Sequence, residues 1–74
     1  MHIIIVAYAS REDMLSHDRS KGLWERPIDV EYREDFNREE RNVEETPGVK
    51  AVGFFNGRGE SLLFEDIAKE LPWG

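Results

Sequence analysis

Residues 2–9 read His-Ile-Ile-Ile-Val-Ala-Tyr-Ala, and residues 3–9 are the longest apolar run in the chain. Its β-branched residues do not alternate with polar ones, the pattern of a strand covered on both faces of a sheet. Such a strand belongs at the centre of an α/β domain. A membrane span needs about 20 apolar residues, and this run is strand-sized, so no crossing is expected.

Outward from that strand, Ser10 is placed to cap a helix, with Asp13 three residues on and acidic residues in the first turn. Only Met14 and Leu15 are strongly apolar between Arg11 and Gly22. That stripe is too narrow to anchor a long helix, so a short helix and a loop both remain open. On the other side, Met1-His2-Ile3 carries neither a basic leader nor a small-residue cleavage site, and a cytoplasmic protein is expected.

Ile28-Asp29-Val30-Glu31-Tyr32-Arg33 alternates apolar and polar, predicting a half-buried strand entered after Pro27. Ile28, Tyr32 and Phe36 also share a helical face, so a helical reading stays open. Residues 35–45 are rich in helix formers, with Asp35 as the expected cap and only Phe36 and Val43 as apolar attachment. Pro47-Gly48 ends that helix and leads into the strand-like residues 49–55. Asn56-Gly57 then predicts a tight hairpin turn and a short returning strand over residues 58–61. Ser61 is placed to cap a last helix whose Leu63, Phe64, Ile67, Ala68 and Leu71 share one face, stopped by Pro72.

At 74 residues the chain has room for one modest core, so residues 1–74 form a single domain. It contains no cysteine, which removes disulfides, thiolate metal sites and thiol redox chemistry together. The formal net charge is −6, and residues 31–46 hold seven acids against three arginines. That density disfavours nucleic acid and favours a partner protein with a basic surface.

Few residues form a constellation with chemistry of its own. His2 and His17 have no metal-ligand spacing to any carboxylate, so no metal or other cofactor is expected. Ser10, Ser16, Ser20 and Ser61 lack the Gly-x-Ser-x-Gly context of a presented nucleophile. Glu39-Glu40 and Glu44-Glu45 are adjacent in sequence, point about 100° apart on a helix, and read as surface charge. Trp24, expected in a loop, and Trp73, beside the carboxy terminus, are large side chains suited either to capping the core or to meeting a partner.

The order strand, helix or loop, strand, helix, strand, strand, helix resembles the glutaredoxins, the smallest thioredoxin-like domains. Ile5-Val6-Ala7-Tyr8, Ile28-Asp29-Val30 and Gly48-Val49-Lys50-Ala51-Val52 match the places of that family's first three strands. The resemblance implies a thioredoxin-like β-α-β-α-β-β-α sandwich over the whole chain. Where the family carries Cys-x-x-Cys, this chain has Ser10-Arg11-Glu12-Asp13-Met14, and Gly53 stands near the place of its cis-proline. Disulfide reduction is thereby excluded. A shorter likeness, Ile5-Val6-Ala7 followed by Trp24-x-x-Pro27-x-Asp29, is similar to the amino-terminal strand and substrate loop of dihydrofolate reductases, where the acid holds the pteridine.

The expectation that follows is a non-enzymatic protein-interaction module: a small acidic inhibitor or adaptor, virus-encoded ones being of this kind. Its candidate surface comprises Ser10, Arg11, Glu12 and Asp13 at one edge, Trp24, and Glu39, Glu40, Glu44 and Glu45 on the acidic helix. Two alternatives are a ligand-binding or enzymatic domain using the loop after the first strand, whose helix start could hold an anion, and a nucleic-acid mimic built on the carboxylates.

Overall fold

The first strand, β1 (His2–Tyr8), has Ile5, Val6, Ala7 and Tyr8 fully buried, as its unbroken apolar run predicts. In the computed structural model, which describes residues 1–74, β1 lies between β2 (Trp24–Asp29) and β3 (Ala51–Phe55), and β4 (Ser61–Leu62) follows outside β3. The order is β2-β1-β3-β4 and every pairing is antiparallel. Helix α1 (Arg11–Leu15) and a 3₁₀ turn (Arg19–Lys21) join β1 to β2, α2 (Arg33–Glu44) joins β2 to β3, and α3 (Phe64–Glu70) closes the chain. Because β2 and β3 both oppose β1, they run parallel, and α2 carries the crossover over the strand between them.

The two faces of the sheet bury different sets. Ile3, Ile5, Ala7, Ile28 and Phe54 meet Phe36 and Val43 of α2 and Ile67 of α3 in the main core. Its centre is aromatic: the Phe36 ring lies 5.1 Å from Phe54 and 5.0 Å from Phe64. On the opposite face Val6, Tyr8 and Phe55 form a smaller cluster against Met14 of α1. The Tyr8 hydroxyl donates to the Asp18 carbonyl at 3.1 Å, and its ring covers Gly53, where a Cβ would stand 2.8 Å from Tyr8 Cε2. A side chain at 53 would therefore displace a fully buried ring.

Several sequence expectations are corrected. The second strand begins at Trp24 and ends at Asp29, so Pro27 lies within it and residues 30–33 leave it. Pro27 is tolerated because β2 is an edge strand, where a missing N–H breaks no ladder bond. Helix α2 begins at Arg33, with Tyr32 and not Asp35 in the N-cap position and no side-chain cap; the Asp35 carboxylate accepts from Arg38 at 2.5 Å. The start is fixed from a distance: the Arg33 N–H donates to the Pro72 carbonyl at 2.9 Å, and Arg33 Nε donates to the Ala68 carbonyl at 2.9 Å.

After β3, the turn is wider than Asn56-Gly57 suggests. Asn56 Oδ1 accepts from the N–H groups of Arg58 (2.9 Å) and Glu60 (3.0 Å), and the left-handed residue is Gly59, with φ 83°. Ser61 is paired in β4 and caps nothing; α3 starts after Leu63 without a side-chain cap. Leu63, expected on the buried face of α3, is 61% exposed.

Candidate functional site

A helix that covers a sheet must place every third or fourth residue inward, and in α2 those positions are Phe36, Glu40 and Val43. Phe36 and Val43 are buried hydrophobics, but between them the same stripe carries a carboxylate. Glu40 is half-buried, and its carboxyl is pushed up to about 7 by burial first and by the Glu44 carboxylate one turn on second. None of the ion pairs in the fold includes Glu40, Glu44 or Glu45. The other acids of α2 are tied down: Glu39 accepts from Arg26 at 2.8 Å, Asp35 from Arg38, and Glu34 from the Gly74 N–H at 3.0 Å.

Glu40 opens into a cleft of about 190 Å³ at the outer side of β3. Val52, Leu62, Leu63 and Phe64 supply much of its apolar wall, while Met14, His17 and Ser61 reach it from the α1 side. His17 holds φ 55°, a left-handed conformation uncommon outside glycine, and its Nδ1 lies 2.9 Å from Ser61 Oγ. That bond pins the loop after α1 to β4. Both residues are exposed, and Ser61 is the one side-chain hydrogen-bond partner of His17, so the pair lacks the third group that orients a catalytic imidazole.

The sequence candidates divide between two surfaces. Ser10 does cap α1, accepting from the Asp13 N–H at 3.1 Å, while Arg11 and Glu12 are exposed. These residues lie on the α1 face of the sheet, opposite the α2 face that carries Glu39, Glu40 and Glu44. Glu45 follows α2 as its exposed C-cap. Trp24 lies on the α2 face, with the Arg26 guanidinium 6.0 Å from its ring and Glu39 beyond. Trp24 and Asp29 are five residues apart on one strand and project to opposite faces, so they do not converge. Trp73 stacks on Arg33 at 5.0 Å beside α2.

The sequence names His17 and Ser61 but does not join them, and it reads Glu40 as surface charge where the fold turns it inward. Only Glu40 had a signal there: it stands four residues after Phe36 and three before Val43, on their stripe. A second hollow, of about 420 Å³, lies between Met1, residues 30–32 and residues 70–72. Its one cation, the Met1 ammonium, already donates to the Val30 carbonyl at 2.8 Å. No group of three or more metal-ligating side chains is assembled anywhere, and no helix is long and apolar enough to cross a membrane.

What the fold defines is a small α/β domain with a four-stranded antiparallel sheet and three α-helices. Set against protein-family models, curated proteins and solved structures, the chain matches none.

Proposed function

We propose that this chain is a non-enzymatic, cytoplasmic interaction module, an acidic adaptor or inhibitor that binds a basic segment of another protein. The observation that carries the reading is the Glu40–Glu44–Glu45 group, which has no cation of its own while the remaining acids of α2 are satisfied within the fold. A half-buried carboxylate beside a like charge is held at an energetic penalty that an incoming lysine or arginine relieves. The thioredoxin-like part of the proposal has the element order in its favour. The antiparallel sense of β1 and β2, where a helical crossover joins parallel strands, counts against it. The binding reading rests on the charges and not on that kinship.

The test is capture of a partner from lysate by the native chain and by a Glu40→Gln/Glu44→Gln/Glu45→Gln variant, with Glu39→Gln as the control already paired to Arg26. The reading expects a partner held by the native and control chains, lost with the triple variant and weakened by salt. Equal capture by the triple variant, or no partner at all, refutes it.

A further inference from the structure

We infer that the outer edge of β3 at residues 51–53 receives an extended basic segment of the partner, which continues the line of β4 and sets a lysine or arginine against Glu40 and Glu44. This deepens the interaction reading above and rests on it. The ladder geometry carries the inference. The Val30 N–H donates to the Met1 carbonyl in the β1–β2 register, so the odd residues of β1 bond to β2 and the even ones to β3. The β3 residues facing β1 are then Ala51, Gly53 and Phe55, and the backbone N–H and C=O of Val52 and Phe54 point outward.

Leu62 opposes Phe54, and there β4 ends, because Leu63 turns the chain into α3. No strand lies beside Val52. An outward N–H and C=O over an apolar cleft form the template that strand addition uses, with backbone bonds giving attachment and side-chain pockets giving choice. The opposite edge of the sheet is less suited to such pairing. By the same parity the outward residues of β2 are Glu25, Pro27 and Asp29, and Pro27, the middle one, has no N–H to donate.

Charge decides the occupant. Glu40 lines the cleft that Val52 lines, and neither it nor Glu44 has a cation in this chain. A second copy of the domain, itself carrying −6, would set the same carboxylates against each other. A basic strand meets both the bare edge and the bare charge.

The experiment uses the full chain, isotopically labelled, with an acetylated Lys-Val-Lys-Val-Lys peptide and its Glu-Val-Glu-Val-Glu counterpart. The expected result is binding of the basic peptide alone, shifts centred on residues 51–54 and 40, slowed amide exchange at Val52, and affinity about five- to tenfold weaker in Glu40→Gln/Glu44→Gln. Val52→Pro removes an outward N–H and no ladder bond to β1, and should weaken binding while leaving the dispersed spectrum of the folded chain. Basic-peptide binding that maps to α2 alone, with Val52 exchange unchanged, overturns the edge assignment and leaves the interaction reading standing. Indifference to peptide charge overturns both. Self-association through Val52, seen as a concentration-dependent dimer in sedimentation, replaces the basic strand with a second copy and overturns the proposal.

Discussion

Replacing Glu40 by glutamine should stabilise the domain at neutral and alkaline pH and do nothing to it in acid. In the folded chain the Glu40 carboxyl is raised from an ordinary 4.5 to about 7, by burial first and by Glu44 second. A raised acid means that the native state holds the proton more tightly than the unfolded chain. Stability is therefore highest below 4.5, falls between 4.5 and 7, and carries its full penalty above 7. At ~1.36 kcal/mol per pH unit that interval sets a ceiling of about 3 kcal/mol. The carboxyl lies at a cleft and keeps part of its solvent contact, which lowers the effect to roughly 1–2 kcal/mol. Glutamine fills nearly the same volume without a charge, so the variant should exceed the native chain by that amount at pH 8 and match it at pH 4.5. Urea denaturation at a series of pH values reads both curves, and Tm at pH 8 should rise by roughly 5–10 °C. A variant offset from the native chain by the same amount at every pH, or less stable at pH 8, would falsify the burial of this carboxyl. Glu44→Gln should recover only the smaller part, since the like charge is the second cause.

Other outcomes follow from the core. Gly53→Ala sets a Cβ 2.8 Å from the edge of a fully buried Tyr8 ring and should destabilise by about 1–3 kcal/mol, seen as a lowered urea midpoint. An unchanged midpoint would mean that the ring moves freely. Phe36→Ala removes the ring shared by Phe54 and Phe64 and should cost about 3–5 kcal/mol, enough to leave a domain of this size largely unfolded by circular dichroism at 25 °C.

How far the sequence could be read depends on where each signal acts. β1 was plain because both of its faces are covered, so its run is apolar throughout, and the four β-branched residues from Ile3 to Val6 favour a strand. β2 was displaced because only Ile28 of its six residues is buried, so the strand carries almost no alternation, while Val30 is buried after the strand has ended. The start of α2 answers to the carbonyls of Ala68 and Pro72, which no local pattern contains. Ser61 offered a capping signal that strand pairing overrode. Of the site, the α2 acids were visible as residues but not as two classes, because pairing with Arg26, Arg38 and Gly74 is a property of the fold. The cleft was not visible at all, since it exists only because β4 is two residues long.

The place of β1 between β2 and β3 has a consequence for the chain as it leaves the ribosome. One flank of β1 finds β2 soon after synthesis, but the other must wait for Phe55, about 47 residues after Tyr8. At about 5–20 residues per second that wait lasts roughly 2–10 s. For that interval the most aggregation-prone stretch of the molecule, rich in isoleucine and free of charge from Ile3 to Ala9, has one open side. The strand that anchors the finished sheet is thus only half covered while the rest of the chain is being made.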